Sequence, residues 1–140
     1  MREDQNIEFK TSWRDEYLKH LCAFANTNGG RLIIGLDDKG NPVGFKDSKK
    51  LLEELPNKCR DILGIIPSVK LENNKGKDII VITVEYSNAP ISYHGRFYIR
   101  SGSTIQELIG QDLTKFLISK SGKKWDEYVE ENASMNDINI

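Results

Sequence analysis

The sequence predicts a mixed α/β (α+β) domain with a largely antiparallel or mixed sheet and about three packed helices. Three observations point there: apolar stripes at helical spacing, short apolar runs bounded by Gly, Asn and Pro, and strand pairs close enough in sequence to form hairpins. Residues 1–7 are polar, and Glu8-Phe9-Lys10 reads as a short edge strand with Phe9 inward. Side chains alternate along a strand, so Glu8 and Lys10 then share one face.

Ser12 is placed to cap the following helix, with Asp15 three residues on. Trp13, Tyr17, Leu18, Leu21, Cys22 and Ala25 form its apolar stripe, and Asp15, Glu16, Lys19 and Ala23 fall on the other side. Asn28-Gly29-Gly30 stops this helix. Arg31–Leu36 is apolar almost throughout, as a strand covered on both faces would be. Asp37–Asn41 is a turn, and Pro42–Phe45 reads as the strand that returns from it. A second helix, capped by Asp47 or Ser48, carries Leu51, Leu52, Leu55, Cys59, Ile62 and Leu63, with a kink or break expected at Pro56. Ser68–Glu72 and Ile79–Tyr86 read as strands joined by a polar turn. Arg96–Arg100 alternates as a third, with Phe97 and Ile99 opposite Tyr98 and Arg100. Thr104 with Glu107 forms a capping box for a last helix burying Ile105, Leu108, Ile109, Leu113, Phe116 and Leu117, closed by Ser121-Gly122.

The 140 residues suit one domain over 1–122, followed by an acidic exit linker or tail over 123–140 with Trp125 and Tyr128 as anchors. The net charge of −1 does not advertise a nucleic-acid binder. However, Asp126, Glu127, Glu130, Glu131 and Asp137 are all acidic and residues 125–140 hold no Lys or Arg. Residues 1–124 therefore carry 20 basic and 16 acidic residues, a net of +4. No apolar run approaches the roughly 20 residues of a membrane helix. Two cysteines, Cys22 and Cys59, are too few for a disulfide framework, and a reducing cytoplasm is the expected setting.

Several chemistries are excluded by spacing. Gly76-Lys77 and Gly122-Lys123 have Leu71 and Leu117 where a phosphate loop needs glycine, so no ATP site is expected. His20 and Cys22 lie about 200° apart around a helix and cannot share a metal. Gly29-Gly30 serves either as a helix stop or as a place where a phosphate or backbone approaches closely. Tyr98 and Arg100, beside Tyr93, His94 and Arg96, form either a platform for phosphate and base or an ordinary solvated strand face. Glu3, Glu8 and Asp37 are the front-end carboxylates. Glu3 and Glu8 point to opposite sides of a strand and converge only if Asp4-Gln5-Asn6 bends.

Three stretches together resemble a known family: Glu8-Phe9-Lys10; the run AFANTxGGxLxIGxDDxG from Ala23 to Gly40, with Gly44; and Pro90 through Tyr98-Ile99-Arg100-Ser101-Gly102-Ser103-Thr104. Their order and spacing resemble the Schlafen AlbA type 2 domain over roughly residues 3–120. Trp125-Asp126-Glu127 is similar to bacterial members described as helicase-related or as transcriptional regulators. The resemblance implies a Schlafen AlbA-like α/β fold, a DNA- or RNA-binding role, a homodimer, and further domains downstream in a longer parent chain. Under it, Lys10, Arg96 and Arg100 would meet phosphates, with Tyr98 and Ser103 beside them. Asn26, Gly29 and Gly30 would shape the adjoining loop. Some Schlafen members are metal-dependent ribonucleases. The matching positions here are Glu3, Glu8 and Asp37 (or Asp38), which would hold Mg²⁺ or Mn²⁺; otherwise no cofactor is expected. A third reading is an assembly module whose partner is another copy or a neighbouring domain.

Overall fold

The computed structural model describes residues 3–131, with side chains through Ser121. Strand β1 (Ile7–Lys10) lies parallel to β2 (Gly30–Ile34), which pairs antiparallel with β4 (Lys77–Val84), and β4 pairs antiparallel with β3 (Ser68–Asn74). The order β1-β2-β4-β3 makes one mixed, largely antiparallel sheet, with β1 at its edge as predicted. A separate hairpin joins β5 (Tyr98–Ser101) to β6 (Thr104–Glu107). Helices α1 (Leu18–Asn26) and α2 (Ser48–Leu63) cover one sheet face, and α3 spans Gly110–Glu131.

Alternation along the strands splits the core into two layers. Leu32, Ile34, Ile80, Ile82 and Val84 meet Leu21, Phe24, Leu51, Leu55 and Cys59 from the helices. On the opposite face Phe9, Ile33, Ile79 and Val81 cluster with Leu36. Strand β2 is therefore apolar on both sides, which explains its continuous run. Phe9 points inward as expected. The β3–β4 hairpin turns on Lys75-Gly76, both at positive φ (52° and 83°), so the strands run two residues further toward each other than Ser68–Glu72 and Ile79 implied.

Helix α1 buries seven of its nine residues, Ala23 among them, because the sheet lies on one side and the segment from Ile91 to Arg100 on the other. Ala23 therefore does not face solvent. Ser12 caps nothing: the chain enters α1 through a 3₁₀ turn, Asp15–Tyr17, and neither start carries a side-chain cap. Pro42–Phe45 is not a paired strand, since β2 already has β1 and β4 beside it. An isolated bridge between Leu36 and Pro42 remains, with Val43 N donating to Gly35 O at 2.8 Å beside it. Helix α2 runs through Pro56 as one element, and Ser48 bonds Asp78 (2.9 Å) rather than capping.

Thr104–Glu107 is strand β6, not the start of a helix. Ile105 pairs opposite Arg100, while Ile109 is exposed and Leu108, Leu113, Phe116 and Leu117 are half-buried. The backbone of α3 continues past Ser121-Gly122 to Glu131, across the expected boundary at 122/123. The predicted anchors Trp125 and Tyr128 lie outside the described side chains, and residues 132–140 lie outside the described residues. Among the described residues, no helix is long and apolar enough to cross a membrane.

Candidate functional site

Strand β1 turns Glu8 and Lys10 toward α1, where Arg100 arrives from β5. The Arg100 side chain is fully buried. Its Nη1 donates to Glu8 Oε1 at 2.8 Å, its Nη2 to the carbonyls of Asp4 (2.6 Å) and Ile7 (3.2 Å), and its Nε to that of Gln5 (3.3 Å). The guanidinium also lies 4.8 Å from the centre of the Phe24 ring. Arg100 thus ties the N-terminal strand to β5 and is not a phosphate contact. The alternation of β5 is the reverse of that predicted: Tyr98 and Arg100 face inward, Ile99 less so. Burial wins because the guanidinium finds a carboxylate and three carbonyls to satisfy it.

Glu3 and Glu8 do come together. A turn at Gln5-Asn6, closed by the Asp4–Ile7 bridge, folds the chain back so that Glu3 accepts the Phe9 amide at 2.9 Å. Burial, and the adjacent Glu8 carboxyl, raise the Glu3 pKa above its ordinary value against the pull of that amide. Asp37 does not join them. It holds its own turn, accepting from Asn41 N (2.8 Å) and Lys39 N (2.9 Å), and the Asn41 amide keeps its pKa below the usual range. Among the described residues, no three His, Cys, Asp or Glu side chains form a metal-ligating group.

Asn26, Gly29, Gly30 and Tyr98 build the scaffold. Buried Asn26 donates to the carbonyls of Ile91 (2.8 Å) and Tyr98 (2.9 Å) and accepts from Ile91 N (2.9 Å), pinning the segment before β5 to α1. A Cβ on Gly30 would overlap the Phe24 ring and lie 2.8 Å from the Asn6 carbonyl, and one on Gly29 would lie 2.9 Å from Val84 O. At both glycines the space a Cβ would take is filled by other parts of the chain. Tyr98 is buried against the core. Ser103 is exposed in the β5–β6 turn, and Arg96 is exposed with a loose 3.4 Å pair to Glu107.

A different set of residues forms two groups of cations and rings, joined through the adjacent residues Lys19 and His20 of α1. Lys10 Nζ sits 4.8 Å over the Tyr17 ring and 3.5 Å from Glu8. Tyr17 meets Trp13 (6.1 Å) on one side and His20 (6.0 Å) on the other. Lys19 lies over Tyr98 (5.8 Å), Tyr98 meets Tyr93 (6.4 Å), and Tyr93 meets His94 (4.4 Å) and pairs with Arg96 through the backbone. Lys10 and Lys19 thus stand over rings, and Arg96 pairs with Tyr93 through the backbone, along a strip from Trp13 to Arg96. His20 Nδ1 is buried without a hydrogen-bond partner among the described residues. Burial first, then the charges of Lys10 and Arg100, push its pKa down to about 4, so the ring is neutral at pH 7. The sequence signal for this strip was present. Trp13, Tyr17 and His20 stand at i, i+4 and i+7, and that spacing reads equally well as a core stripe. Both thiols are inert, burial raising Cys22 to about 11 and Cys59 to about 12.

Residues 3–109 match the family described as Schlafen, AlbA_2. Among solved structures, the N-terminal domain of a DNA helicase RecG-related protein from Nitrosomonas europaea is similar, at 30% identity and TM-score 0.53. The match covers 75% of this chain and 84% of that domain. The DIP2311 protein of Corynebacterium diphtheriae shares the fold at 21% identity and TM-score 0.64, over 74% of this chain. This chain spans about a quarter of the length of that protein.

Proposed function

This chain belongs to the Schlafen, AlbA_2 family, and we propose that it is a nucleic-acid-binding domain that contacts its ligand along the strip from Trp13 to Arg96. The placing of Lys10 over Tyr17 and of Lys19 over Tyr98, with exposed Arg96 and His94 beyond them, carries this reading. Phosphates take Lys10, Lys19 and Arg96, while unstacked bases lie on Trp13 and His94. Rings so placed favour single-stranded DNA or RNA, since bases inside a duplex do not offer their faces. The likeness to an N-terminal domain of a helicase-related protein supports a place at the front of a longer chain; that this chain is a transcriptional regulator and pairs as a homodimer are further parts of the proposal. The metal-dependent ribonuclease alternative would need Asp37 to leave its turn and reach Glu3 and Glu8, so the binding reading fits this geometry better.

The test is anisotropy of a labelled 12-nucleotide single strand across a salt series. Binding should fall with a log–log slope of roughly −0.7 per phosphate neutralised. The Lys10→Ala/Lys19→Ala pair should flatten that slope by about 1.4. Binding indifferent to salt, or absent at low salt, overturns the proposal.

A further inference from the structure

Beyond the strip, Trp13 forms one wall of a concavity of about 300 Å³ at the start of α2. Phe45 forms another wall and buried Leu51 lies at its lining. The volume is at the lower end of the range of small-ligand sites. The Trp13 ring is held in place, its Nε1 donating to Asp15 Oδ1 at 2.7 Å while Asp15 also pairs with Lys58 at 3.2 Å. Ser12, two ammonium groups, Lys46 and Lys50, and two carboxylates, Asp47 and Glu54, complete the lining. Asp47 caps no amide of α2 although it stands at the cap position, with a left-handed backbone (φ 60°).

Each base offers a different edge to such a set. Guanine alone presents two adjacent donors, N1–H and N2–H₂, beside an acceptor, O6. The two oxygens of a carboxylate match the donors, a lysine ammonium matches O6, and a second lysine meets the phosphate. Aromatic walls supply stacking, worth about 1–3 kcal/mol per base.

We propose that this concavity is a guanine pocket: Trp13 and Phe45 stack the base, Asp47 and Glu54 accept from its Watson–Crick edge, and Lys46 and Lys50 meet O6 and phosphate. The proposal deepens the nucleic-acid reading and rests on it for the ligand's identity as part of a strand. The free mononucleotide is a separable probe.

The experiment uses Trp13 emission in a Trp125→Phe background, titrated with GMP, AMP and IMP. GMP should quench saturably and bind about tenfold tighter than AMP, in line with the discrimination of one bidentate pair. IMP, which lacks the N2 amine but keeps N1–H and O6, should bind between GMP and AMP. The Asp47→Asn/Glu54→Gln pair should erase the GMP preference, and asparagine tolerates the left-handed backbone at 47, so folding is retained. Equal affinity for GMP and AMP, or a preference that survives the double substitution, overturns the pocket. If oligonucleotides still bind with a salt-dependent slope in that case, the strip stands without the pocket. If GMP binds selectively and no oligonucleotide binds, the pocket stands and the strip fails.

Discussion

Replacing Arg100 by alanine withdraws a fully buried guanidinium from Glu8 and from the carbonyls of Asp4, Gln5 and Ile7. Breaking a buried pair typically costs about 3–5 kcal/mol because the partner charge is stranded. Lys10 remains 3.5 Å from the other Glu8 oxygen, which places the expected loss near the lower end, about 3 kcal/mol. Against a domain stability of roughly 5–15 kcal/mol that is a large share. Urea denaturation followed by far-ultraviolet dichroism measures it, with unchanged slope as the sign that only stability moved. Arg96→Ala is the contrast, since its exposed pair with Glu107 should contribute less than about 1 kcal/mol. Adding Glu8→Gln to Arg100→Ala should recover part of the loss by removing the stranded charge. If Arg100→Ala loses under 1 kcal/mol yet abolishes oligonucleotide binding, Arg100 is a ligand contact and the reasoning fails.

Three other perturbations bear on the same scaffold. Asn26→Ala leaves Ile91 N and the Tyr98 carbonyl without their buried partner, and the Ile91 carbonyl with the Cys22 thiol alone, and should cost about 2–3 kcal/mol by the same denaturation assay, with proteolysis near 89–98 quickened. Gly30→Ala should cost at least about 1–3 kcal/mol from overlap with Phe24, read as a lowered melting temperature. His20 titrates near 6.5 when unfolded and about 4 when folded, so between those values the unfolded chain holds the extra proton. Stability should be complete above pH 6.5 and fall by up to about 3 kcal/mol as pH drops toward 4, partly offset by Glu3, whose raised pKa acts in the opposite sense. His20→Gln should flatten that slope.

The features legible in the sequence were those set by local periodicity. Phe9 inward, the α1 stripe, the doubly buried β2 and the β3–β4 hairpin each follow from neighbours a few residues apart. Thr104–Glu107 shows the limit of that reading. Threonine followed by glutamate at the third position fits a capping box, and the same four residues alternate as a strand after Gly102-Ser103. Pairing with β5 decides between them. Pro42–Phe45 failed for a related reason, because the neighbours of β2 come from positions 7–10 and 77–84. For the site, strand alternation shows that Tyr98 and Arg100 share a face but not which face is inside. The acceptors that bury Arg100 lie 92–96 residues away in sequence. Asn26, Gly29 and Gly30 sit in the most family-specific motif, and their work is packing. Lys10 and Arg96 keep accessible charge, joined by Lys19 and rings that helical spacing alone assigns to the core.

Chemical-shift mapping with an unlabelled single-stranded oligonucleotide, on isotope-labelled protein, locates the interface residue by residue. The Trp13 indole and the resonances of Tyr17, Lys19, His20, His94 and Arg96 should shift together and saturate at one affinity. Shifts confined to the β3 edge or to α3, with this group unmoved, would contradict the account.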